Sequence, residues 1–163
     1  MASKYLSKPF NIDLEKLETV PYLIKMIEKA VQEINGSKYF CELDFDCDHN
    51  FGSYAYGYRV FLKNKQKDIS LYVYTGLIFS YKKDPAGLFV EVDRNNNEKY
   101  FSQIDDNIEK SVNYDISQKE EGFLKLFYPE YEKYIKLKNK EQYEKLKEFI
   151  DQCFKSFLEP LNS

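Results

Sequence analysis

The sequence predicts an α+β domain: an N-terminal helix, an antiparallel meander sheet of four to five strands, and a long C-terminal amphipathic helix packed on that sheet. Three observations carry this expectation. Apolar residues recur at helical spacing near both ends of the chain, the block from about residue 38 to residue 93 switches to two-residue alternation, and turn-prone clusters punctuate that block.

The first helix follows "TVP", where Thr19 can cap and Pro21 suits an opening turn. Leu23, Ile24, Ile27, Ala30, Val31 and Ile34 then mark one face, and Asn35-Gly36 ends it. Four strands are expected next. The first, Lys38 to Asp48, and the second, Tyr54 to Lys63, join through "HNFGS" as a hairpin. The third runs from Ile69 to Tyr81, with Ile69, Leu71, Val73, Leu77 and Phe79 on its core face. After "KKDPAG", Leu88, Val90 and Val92 alternate with Phe89, Glu91 and Asp93 in the fourth. "RNNNEK" reads as a turn before a short continuation at Tyr100-Phe101, and the polar segment from Asp105 to Glu121 reads as a long loop. Within it "SQKE" (Ser117 to Glu120) matches a helix capping box, whereas "EEGFLKLFYPE" reads as a turn into a short strand. In the last helix Leu146, Phe149, Ile150, Cys153, Phe154, Phe157 and Leu158 keep the i, i+3, i+4, i+7 rule for more than three turns.

The length of 163 residues suits one domain, residues 1–163, able to enclose a core. No apolar run reaches the roughly 20 residues of a membrane span, and the opening "MASKYLSKPFNIDLEKLE" lacks the apolar centre of a signal peptide. Cys41, Cys47 and Cys153 are an odd number without framework spacing, so a reducing cytoplasm is the expected compartment. A net charge of −3 argues against general nucleic-acid binding, because such domains carry a basic excess that tracks phosphates. The 15 Tyr and 13 Phe, without Trp, put many rings at the boundary between core and water, which Tyr tolerates on both sides.

The segment "KYFCELDFDCDHNFGSY" alternates so that Glu42, Asp44, Asp46 and Asp48 share one parity. Carboxylates on one strand face stand about 7 Å apart, too far for neighbours to share an ion directly but close enough for a partner strand to complete a site. Asp46, Asp48 and Asn50 imitate the start of a calcium loop, but its glycine comes one place late at Gly52, and Gly57 stands where the bidentate acid belongs. These acids are expected to face solvent, with no metal and no cofactor. His49 shares the parity of Cys41 and Cys47, yet no C-x-x-C pair joins them, and no motif places a nucleophile beside this one His. Catalytic residues are therefore not assigned.

"KKDPAGLFVEVD" sets Asp84 before Glu91 and Asp93, and resembles the acidic hairpin of restriction-endonuclease-like nucleases, which would imply Mg²⁺-activated water. No lysine follows at the x-K position, and Arg94 is the only cation nearby in sequence. "YAYGYRVF" partly resembles the aromatic strand of an RNA-recognition sheet at Tyr56, Gly57, Tyr58 and Phe61, and departs from it at Tyr54 and Arg59. Tyr54, Tyr56 and Tyr58 share one face of their strand, as Tyr72 and Tyr74 do on the next, so an aromatic platform forms if both sets fall on the same side. Lysines in "YEKYIKLKNKEQYEKLKEF" alternate with glutamates as on a solvated helix face.

These features lead to a non-enzymatic protein-binding module. Its candidate contact residues are Glu42, Asp44, Asp46, Asp48, Tyr54, Tyr56, Tyr58, Tyr72, Tyr74, Glu91 and Asp93. A protein partner is expected ahead of nucleic acid, and no membrane. The chain is similar in type to immunity proteins and to inhibitors of phages or mobile elements, anti-CRISPR proteins included, a likeness of composition without a shared motif. A metal-dependent nuclease or a degenerate relative is the alternative, and an RNA- or ligand-binding sheet the third reading.

Overall fold

The computed structural model describes residues 14–34, 39–46, 55–64, 68–78, 87–111, 116–120, 122–129 and 131–162. Helix α1 (Leu14–Ile34) leads into four strands, β1 (Tyr39–Asp46), β2 (Ala55–Asn64), β3 (Ile69–Ile78) and β4 (Gly87–Asp93). Helix α2 (Arg94–Ser111), strands β5 (Ile116–Glu120) and β6 (Phe123–Phe127), a short helix α3 (Tyr131–Tyr134), the long helix α4 (Asn139–Leu158) and a 3₁₀ turn (Glu159–Asn162) follow. For β1 and β5 the description covers backbone and register. The fold is α+β, as the periodicities require.

All strand pairs are antiparallel, in the order β1-β2-β3-β4-β6-β5. The expected meander forms the first four strands, and β6 then β5 extend it to six. Alternation decides which side is covered. Val60 and Leu62 of β2, Leu71, Val73 and Leu77 of β3, Leu88, Val90 and Val92 of β4, and Leu124 and Leu126 of β6 are buried in one cluster with the helices. Helix α4 contributes Leu146, Phe149, Ile150, Cys153, Phe154, Phe157 and Leu158, all inside the same cluster. The stripe read from the sequence is the stripe that packs.

Helix α1 starts earlier than the expected cap at Thr19, because "LEKLE" consists of good helix formers. Pro21 consequently lies inside the helix, where it forfeits one backbone bond. Its inner face is as expected, with Leu23, Ile27, Ala30, Val31 and Ile34 buried. Phe79, Tyr81 and the turns "HNFGS" and "KKDPAG" fall outside the described residues.

The largest departure is α2, which replaces the expected turn, the strand continuation at Tyr100-Phe101 and the first part of the polar loop. Phe101, Ile104 and Ile108 stand at helical intervals, and these three are buried against the same core as α1 and α4. So few apolar anchors in so polar a stretch look like a loop by composition, yet they suffice when the other face is solvated. The "SQKE" capping box does not open a helix, since Ile116–Glu120 pairs with β6 as β5. Gly122 makes the connecting turn with a φ of 112°, a conformation that favours glycine. The strand expected in "GFLKLFYPE" is β6.

A tyrosine-rich cluster closes the end of the core. The Tyr128 ring lies 4.8 Å from that of Tyr134 and 5.2 Å from that of Phe149, and Tyr131 stacks on Tyr134 at 6.1 Å. The Tyr134 hydroxyl donates to the Gln142 carbonyl, while Gln142 Nε2 donates to the carbonyls of Tyr134 and Ile135. These bonds fasten α3 to α4.

Candidate functional site

On the sheet face turned away from the core helices, the register assembles a polar row. Arg59 of β2 stands opposite Tyr74 of β3, Tyr74 opposite Glu91 of β4, and Glu91 opposite Lys125 of β6. Asp44 on β1 and Gln118 on β5 hold the register positions at either end. Directly opposed side chains in such ladders are close enough to interact. Lys125 Nζ sits 3.0 Å from Glu91 Oε2, and the lysine is only 7% exposed. Its ammonium also lies 5.2 Å from the Phe89 ring centre and 5.1 Å from that of Phe123, within cation–π range. Phe89, Phe127, Tyr74 and Ile78 form a second small buried cluster on this side.

Glu91 therefore does have a lysine beside it. Reading along the chain showed Arg94 as the only nearby cation, whereas the sheet supplies Lys125 from a strand remote in sequence. Arg94 itself is exposed and covers the Phe101 ring at 5.2 Å.

Asp93 serves the backbone. Its Oδ1 accepts the Asn96 N–H at 2.7 Å and its Oδ2 accepts Asn96 Nδ2 at 2.8 Å, so the carboxylate closes the start of α2. Asn96 Nδ2 also donates to the Tyr74 hydroxyl at 3.3 Å, which ties the polar row to this cap. Next to it, Asn97 abandons helical geometry (φ −134°, ψ 28°) and turns its amide to β3. Asn97 Oδ1 accepts the Tyr72 N–H at 2.9 Å, and its Nδ2 donates to the Tyr72 carbonyl at 2.9 Å and to the Asp93 carbonyl at 2.8 Å. The side chain continues the ladder where β4 stops.

Tyr72 is thereby held by its backbone while its ring, 39% exposed, packs at 5.1 Å against Phe61 directly across on β2. Tyr74 is buried beside it. Tyr58 lies on the other side of the sheet, where its hydroxyl donates to Glu28 Oε2 of α1 at 3.1 Å. Burial, reinforced by the Glu28 carboxylate, pushes that hydroxyl up to about 12. The platform that needed Tyr58 together with Tyr72 and Tyr74 does not form, because odd and even positions of β2 face opposite ways and Val60, of the same parity as Tyr58, pairs with core Val73.

Of the remaining candidates, Asp48 and Tyr54 lie outside the described residues, as do Asp84, Cys47 and His49, and the side chains of Cys41, Glu42, Asp44, Asp46 and Tyr56. Cys153 is wholly enclosed by the core, which pushes its thiol well up and away from nucleophilic use. Among the described residues no three His, Cys, Asp or Glu side chains gather to hold a metal ion, and no helix is long and apolar enough to cross a membrane. Sequence reading missed Phe61, Arg59, Asn97 and Lys125 as parts of this face. Parity alone could have found Phe61 and Arg59, since "YRVFL" alternates them with core Val60 and Leu62.

Comparison with protein-family models, with curated proteins and with solved structures finds no match.

Proposed function

We propose that this chain is a non-enzymatic protein-binding module that engages its partner where Tyr72 is exposed on the sheet face away from the core helices, with Tyr72 as the anchor. The observation carrying this reading is the state of that ring: exposed, set against Phe61, and mounted on a backbone whose N–H and carbonyl are both bonded by Asn97. A rigid exposed aromatic loses little conformational freedom on binding, which is what makes Tyr effective at the centre of interfaces. Two of the three acids that favoured the nuclease alternative are engaged within the fold, Glu91 by Lys125 and Asp93 by the α2 cap. An inhibitor of the immunity or mobile-element type, acting in a reducing cytoplasm, is the use that best suits so acidic and tyrosine-rich a chain.

The test compares two exposed tyrosines on different elements. Tagged parent, Tyr72→Ala and Tyr22→Ala are used to capture partners from the native host, Tyr22 being a 41% exposed residue of α1. One stoichiometric protein should be retained by the parent and by Tyr22→Ala, and lost by Tyr72→Ala with its melting temperature unchanged. Equal retention by both variants would remove Tyr72 as the anchor. Cleavage of supercoiled DNA or RNA by the parent with Mn²⁺, abolished in Glu91→Gln, would replace the binding reading with the nuclease one.

A further inference from the structure

We draw no further inference here: the strongest candidate, the N-terminus of α4 at Lys138 with the exposed Lys136 and Lys140 beside it, is a helix N-terminus with nothing among the described residues that points independently to a ligand.

Discussion

Asn97 takes the place of a strand residue, and its contribution can be measured. Three hydrogen bonds converge on its buried amide, two of them from the peptide groups of Tyr72. Asn97→Ala would leave those peptide groups to find water or remain unpaired, at a cost of about 1–3 kcal/mol. Urea unfolding should show this as a lower midpoint with an unchanged slope; a loss within experimental error would mean that water replaces the amide freely. The Glu91–Lys125 pair makes a sharper case. Lys125→Met takes the close cation from a Glu91 side chain that keeps 18% exposure, and should destabilise by about 1–3 kcal/mol, while Lys125→Met combined with Glu91→Leu should recover most of that loss. A double variant no more stable than the single one would show that the ion pair itself is not what Lys125 provides. Neither arrangement was legible in the sequence. Helical or strand periodicity assigns a residue to a face, but the partner across the sheet depends on which strands become neighbours, and β6 joins β4 only after the chain has passed through α2 and β5.

At the level of elements, legibility followed the strength of the apolar pattern. Helix α4 and strands β2 to β4 were readable because each places most of its apolar residues on one side at a regular interval. Helix α2 was not, since three anchors in eighteen residues are outweighed by its polar side, and the asparagines that cap and kink it have the composition of a turn. The dependence of α4 on the core can be measured: its Phe154 is fully enclosed, and Phe154→Ala should cost about 3–5 kcal/mol in denaturant unfolding. A loss below about 1 kcal/mol would mean that the site collapses around the missing ring. Within the sheet, Gly57 faces Gly76 across the β2–β3 pair, and a Cβ at Gly57 would stand 2.1 Å from the Thr75 carbonyl oxygen. Because that obstacle is backbone, Gly57→Ala must displace β2 from β3. We expect the variant to be markedly less stable than the parent, and amide exchange along β2 and β3 to rise before it rises in α4. Uniform exchange behaviour in parent and variant would refute the close approach.

Across the whole molecule, the tyrosines couple folding to alkaline pH. Burial first, and neighbouring carboxylates second, push the hydroxyls of Tyr58 and Tyr131 up to about 12, and burial pushes those of Tyr134 and Tyr143 up as well. An unfolded tyrosine ionises near pH 10. The neutral hydroxyl is thus favoured in the folded chain, so these groups contribute stability that is fully present below about pH 10; that of Tyr58 and Tyr131 is lost as pH rises through about 12, and that of Tyr134 and Tyr143 at still higher pH. These residues lie at separate points of the helical layer and its contact with the sheet, on β2, α3 and α4. Their ionisation should accordingly be cooperative with unfolding. The acid side behaves oppositely: the Lys147 ammonium beside Glu33, joining α4 to α1 at 2.9 Å, holds that carboxyl below its usual value. Its contribution is present above about pH 4.5 and is lost as pH falls. Near-ultraviolet absorbance of tyrosinate and far-ultraviolet circular dichroism, followed together from neutral to strongly alkaline pH, check the alkaline limb. We expect the enclosed tyrosines Tyr58, Tyr131, Tyr134 and Tyr143 to ionise only as the helical signal disappears. Ionisation of all 15 tyrosines in one step near pH 10, with the helical signal retained, would show that the rings placed inside the fold are open to water.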